Sequence, residues 1–174
     1  MLNLKTAPKY DVVFGTSAHT KSTSKRSGDC YSLIRMEDGK ILMALCDGMG
    51  SGEKAERTSQ TAISLVENFY KAGFNSDIIL SSVNKFLSIG SGDIFSCLDM
   101  AVIDLKTGGC DFVKLGATNG YIKHNETIDV IECSSLPLGI ISSASPTIKT
   151  KLLCGGDMIV LCTDGITDSF KSDE

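Results

Sequence analysis

No run of apolar residues in this 174-residue chain approaches the roughly 18 that a membrane-spanning helix requires, and no signal peptide is read at its start. The chain is therefore expected to make no membrane contact, as a cytoplasmic protein or the cytosolic part of a membrane-anchored parent. A basic excess is also missing: 17 Lys and Arg face 21 Asp and Glu, a net charge of −4, which excludes the electrostatic footprint of a nucleic-acid binder. The seven cysteines include no C-x-x-C pair and are odd in number, which argues against a zinc ribbon or a disulfide framework. Cys46, Cys97 and Cys162 lie in apolar runs, where a reduced thiol behaves as a small hydrophobe. Histidine occurs only twice, at His19 and His124 in polar stretches, and no Cys–His or Ser–His arrangement offers an activated nucleophile. Repeats and low-complexity tracts are absent as well.

What is present is 42% apolar residues, enough for one domain with a core over residues 1–174, residues 1–10 being a flexible lead-in. "CYSLIRM" and "ILMALC" flank "EDGK", whose Asp38-Gly39 suits a tight hairpin turn. Glu53 to Lys71 carries Ala55, Ala62, Val66 and Phe69 at helical spacing and ends at Ala72-Gly73. A second helix starts at an Asn75 or Ser76 cap, turns Ile79, Val83, Phe86 and Leu87 inward and stops near Gly90. From Phe95 the pattern becomes strands, read as three successive hairpins about "KTGG", "NET" and "CGGD". A helix pair followed by hairpins is an α+β arrangement with largely antiparallel sheet.

The chemistry centres on "CDGMGSGEKA", where Asp47 closes an apolar strand before a glycine-rich turn. The P-loop pattern fails because Gly52 is followed by Glu53-Lys54-Ala55, and Gly48, Gly50 and Gly52 have the wrong interval for a dinucleotide fingerprint. "VLCTDGI" repeats the motif, with Asp164-Gly165 after a second apolar run. A carboxylate at a strand mouth suits magnesium or manganese, while Asp-Gly is also an ordinary turn, so both readings stand at the level of the residues.

"SGDCY" (Ser27 to Tyr31), "DGMGSGEKA", "LDMAVIDL", "SSLPLGII" and "CTDGITDSF" together resemble, in order and spacing, the phosphatase domain of the stage II sporulation protein E family, PP2C-type serine/threonine phosphatases. The resemblance runs from about Val12 to the end of the chain. It implies a PP2C-like sandwich of two antiparallel sheets flanked by helices (αββα) and a site for two manganese or magnesium ions. Asp47 would bridge the ions, the Gly48 carbonyl would add a ligand, Asp164 would hold one ion, and Asp29 would hold water near the second. The reaction implied is metal-assisted hydrolysis of phosphoserine or phosphothreonine on a small protein of the anti-anti-sigma type, in sporulation sigma-factor control. The family's further downstream aspartate has no counterpart after Asp164, so the chain is expected to lack C-terminal elements, and a pseudophosphatase that binds a partner without turning it over is the alternative. Helices 53–72 and 75–88 would offer a surface for a second copy or a regulatory partner.

Among the remaining residues, Lys25 and Arg26 lie where some PP2C enzymes bind phosphate, although a solvated basic loop fits them better. Asp99 and Asp104 read as outward-facing strand acids, with Asp99 alternatively a buried partner of a helix end. Asp168 fits the start of a terminal helix, and "LPLGI" reads as an ordered loop beside the metal face.

Overall fold

The protein is described from a computed structural model, which covers residues 7–19, 27–49, 52–89, 95–141 and 145–169. Lys25, Arg26, Gly50 and Gly90, singled out above, lie outside the described residues.

The first hairpin forms where the turn chemistry places it, β1 (Asp29–Arg35) against β2 (Lys40–Gly48), with Gly39 at φ 90° closing the turn. Helix α1 (Glu53–Lys71) begins at Gly52, which has no side chain to cap the helix but adopts φ 83°. Glu53 and Glu56 in the first turn and Lys71 in the last complement the helix dipole. Helix α2 (Ser76–Ile89) is capped by Asn75, whose Oδ1 accepts from the Ile78 N–H at 3.1 Å. Its buried stripe runs through Ile79, Leu80, Val83, Asn84 and Leu87, and Phe86 is 56% exposed, against the inward placement expected from spacing. Asn84 explains the rotation. Its amide donates to the Ile141 carbonyl at 2.8 Å and accepts from the Gly139 N–H at 2.9 Å, turning that side of the helix toward the loop.

The remaining strands are β3 (Ser96–Asp104), β4 (Gly109–Leu115), β5 (Gly120–His124), β6 (Thr127–Ile131), β7 (Thr147–Leu152) and β8 (Met158–Val160), followed by the short helix α3 (Asp164–Ser169). They make two antiparallel sheets, ordered β1-β2-β3-β4-β7 and β6-β5-β8. Two of the three expected hairpins, β3–β4 and β5–β6, are present. The third is not: β7 extends the first sheet beside β4, and β8 joins the second beside β5. The "CGGD" turn is a crossover between layers. Splitting the two strands gives a partner to two sheet edges, where a hairpin would have left both open.

Alternation along β2 sorts the core. Leu42, Ala44 and Cys46 pack with Val66, Val83 and Leu98 under the helices. Ile41 faces the other way, with Ala101, Ile103, Phe112, Ile122 and Ile131 between the sheets. Lys9 and Tyr10 both donate backbone N–H groups to the Leu105 carbonyl, at 2.8 and 2.9 Å, and Tyr10 packs on the inter-sheet cluster. No helix among the described residues is long and apolar enough to cross a membrane.

Candidate active site

The register of the first hairpin sets Asp29 directly opposite Asp47. Opposed residues on antiparallel strands point to the same face with Cβ atoms roughly 4.5–5.5 Å apart, so two carboxylates share the rim of the sheet in a pairing that is unfavourable without a cation. The third acid arrives from the far end of the chain. Asp164 is not at a strand end as the motif implied: β8 stops at Val160, and Asp164 opens α3. Asp168 accordingly lies near the end of that helix rather than at its start. The connecting residues leave the ladder because the loop after β4 takes their backbone. Thr118 Oγ1 donates to the Cys162 carbonyl at 2.6 Å, and Thr163 Oγ1 donates to Asp29 Oδ2 at 3.3 Å. These bonds hold a segment whose Thr163 touches Asp29 and whose Asp164 lines one cavity with Asp47.

A cavity of about 60 Å³ opens there, with Asp47, Cys97, Asp99, Thr118, Thr163 and Asp164 among its lining. The field inside is acidic. The Cys97 thiol is pushed up to about 12, first by burial and then by Asp47 and Asp164. The "LPLGI" loop backs one wall: Leu138 bridges to Ser96, and a Cβ on Gly116 would meet Pro137 Cγ at 2.4 Å. Ser96, fully buried, donates to the Asp47 carbonyl at 2.9 Å and holds the end of β2.

The glycine after Asp47 has a structural reason different from turn flexibility. Gly48 is not in the left-handed region; a Cβ there would stand 2.2 Å from the Ala55 carbonyl oxygen, so the start of α1 packs on the bare backbone of β2. Gly28 is held similarly, since a Cβ there would lie 2.7 Å from the Gly48 carbonyl oxygen. Among the described glycines of this turn, Gly52 uses a positive φ.

Lys114 escaped sequence reasoning, and Asp99 is buried, as its alternative reading had it, but against a strand residue rather than a helix end. It is 2% exposed and paired across the strands with fully buried Lys114, whose Nζ donates to Asp99 Oδ2 at 2.5 Å and to the Thr118 carbonyl at 2.8 Å. Burial pushes the Asp99 carboxyl up to about 6 against the pull of Lys114. A signal existed: Cys110, Phe112 and Lys114 share one face of β4, and that face is core.

Carboxylate oxygens are hard donors that fit magnesium or manganese. Among the described residues no three His, Cys, Asp or Glu side chains converge into a closed ligand set, so the donors form an open mouth rather than a finished cage.

The model of the family described as stage II sporulation protein E matches residues 37–174. Stage II sporulation protein E from Priestia megaterium is 34% identical over 163 residues, covering 93% of this chain and 28% of the relative. The protein of that name from Bacillus subtilis (strain 168) is 33% identical over 163 residues, covering 93% of this chain and 20% of its own length. The chain thus spans less than a third of these relatives. Among solved structures, the PP2C phosphatase domain with a fragment of the regulatory domain of SpoIIE from Bacillus subtilis superposes with a TM-score of 0.87 at 32% identity, over 95% of this chain and 49% of that one. RsbX in complex with magnesium shares the fold, with a TM-score of 0.71 at 20% identity over 83% of this chain and 70% of that one.

Proposed function

The chain belongs to the stage II sporulation protein E family, and on that premise we propose that it is a cytoplasmic, metal-dependent protein phosphatase domain acting on phosphoserine or phosphothreonine. Its substrate would be a small regulatory protein of the anti-anti-sigma type. The observation that supports the reading is that Asp47 and Asp164 line one cavity, with Asp29 in register opposite Asp47 and bonded to Thr163, the residue before Asp164. Manganese or magnesium held there would acidify water and neutralise charge on the phosphoryl oxygens, which spares the protein a nucleophile. The chain's part is placement. Asp47 and Asp164 both line the cavity, Asp29 stands opposite Asp47 across the hairpin, and Thr163 donates to Asp29.

Asp47→Asn keeps the shape and removes one charge. It should abolish manganese binding and reduce phosphoserine hydrolysis by about 10³-fold or more, the scale of losing a main electrostatic stabiliser. Unchanged turnover at saturating manganese would refute the assignment.

The open donor set favours a second reading, a pseudophosphatase that binds the phosphorylated partner and leaves it intact. Manganese titration of the chain, followed by assay with phosphorylated substrate, separates the two. Regulation through the helix pair, by a partner or a second copy, is part of the proposal: Ile78, Phe86 and Ile89 on α2 are exposed, and α1 starts against Gly48. Coupling of that kind is reciprocal and typically worth ~1–3 kcal/mol.

A further inference from the structure

Asp99 Oδ1 is buried and has no hydrogen-bond partner, while Oδ2 of the same carboxylate is taken by Lys114 at 2.5 Å. A half-satisfied buried carboxylate is costly, and such groups are normally completed by ordered water. Here the place for that water exists. Asp99 lines the cavity of about 60 Å³ that Asp47, Thr118 and Asp164 also line. A water molecule needs roughly 10–15 Å³ of such volume and two to four polar partners, so the cavity has both the room and the partners for a few. Lys114 prevents the carboxylate from turning away: its Nζ is fixed between Asp99 Oδ2 and the Thr118 carbonyl, and a Cβ on Gly120 would stand 3.3 Å from it.

We propose that Asp99 is a positioning residue of this site: clamped by Lys114 through Oδ2, it accepts through Oδ1 a hydrogen bond from a water molecule standing between Asp47 and Asp164. The Asp99–Lys114 pair is then more than structural filling. It orients water in the cavity that Asp47 and Asp164 line, and it steadies the Thr118 loop that holds the backbone of Cys162, two residues before Asp164. The consequence for metal binding rests on the proposed phosphatase reading; the water itself does not.

Two measurements test it. A crystal structure of the metal-free wild-type chain should show an ordered water within hydrogen-bond distance of Asp99 Oδ1, and an empty cavity there overturns the inference. In the second, the pair is replaced by apolar residues of comparable bulk, Asp99→Val/Lys114→Met, a change that buried ion pairs often tolerate without loss of stability. Mn²⁺ binding, read by water-proton relaxation, should weaken at least tenfold while the melting temperature holds. Binding within threefold of wild type would assign the pair a structural role only. If the wild-type chain bound no Mn²⁺, the phosphatase reading would fail, and the crystallographic water would still decide the role of Asp99.

Discussion

The two faces of the five-stranded sheet are built from the same strands to different specifications. The face under α1 and α2 is nearly all aliphatic, Leu42, Ala44, Val66, Val83, Leu98 and Met100 packing without a charge among them. The face toward the second sheet begins the same way, with Ile41, Ile103 and Phe112, but at one end it turns to Asp99, Lys114, Asp47 and a cavity. Burial therefore does two jobs in one sheet. The helix face supplies cohesion, and the inter-sheet face carries charges whose desolvation must be offset by partners. Helix α1 comes nearest the acidic end of β2 at Gly48, whose bare backbone Ala55 packs on.

The largest stability effect should come from breaking the charged face in half. Lys114→Met leaves Asp99 buried without its cation, and loss of one member of such a pair typically costs about 3–5 kcal/mol. Urea denaturation at neutral pH reads it directly. A cost below about 1 kcal/mol would place the pair with exposed ones and dissolve the contrast between the faces.

Leu42→Ala tests the other face. Leu42 is fully buried under the helices, on the side of β2 opposite Asp47. Truncation should cost about 3 kcal/mol, within the usual range for a buried leucine. Mn²⁺ affinity should stay within about twofold at temperatures where the variant is folded, because Leu42 lies six residues along β2 from Gly48, the point at which α1 reaches the site. A large loss of affinity would show that the faces are not separable.

How far the sequence discloses this arrangement depends on the reach of each interaction. The first hairpin and both long helices follow from local signals: Asp38-Gly39, apolar spacing and the Asn75 cap. Asp29 and Asp47 meet for the same reason, since a hairpin's register is set by its turn. What was hidden depends on contacts far apart in sequence. The split of β7 from β8 is decided by which sheet edges remain open, and the exposure of Phe86 by the bonds of Asn84 to the 139–141 loop. The burial of Asp99 required knowing that Lys114 stands opposite, a register that joins two strands with no reason to be paired charge to charge except a shared interior. Family resemblance supplied Asp29, Asp47 and Asp164 together, and it was silent on Asp99 and Lys114.

The smallest effect comes from a charged pair on neither face, and it sharpens the comparison by changing burial while keeping the chemistry. Asp157 sits in the turn where the chain crosses from the first sheet to the second. Its Oδ2 accepts from the Cys154 N–H at 2.7 Å, its N–H donates to the Cys154 carbonyl at 3.2 Å, and its Oδ1 lies 2.8 Å from His124 Nδ1. The Cys154 N–H holds the Asp157 carboxyl below its ordinary 3.8; burial opposes it, and His124 adds to the lowering. A carboxyl lowered in the folded state contributes stability that is present above the unfolded value and is lost as pH falls through the folded one. Asp157→Asn should therefore cost about 1 kcal/mol at pH 7, the scale of one hydrogen bond in a turn. The gap to wild type should narrow as pH falls below 3.8 and through the lowered folded-state value, where both side chains are neutral. Paired urea titrations at the two pH values measure it. A gap that stayed the same in acid would mean that the turn depends on the shape of Asp157 rather than its charge, and a cost at pH 7 as large as that of Lys114→Met would remove burial as the variable that separates the two pairs.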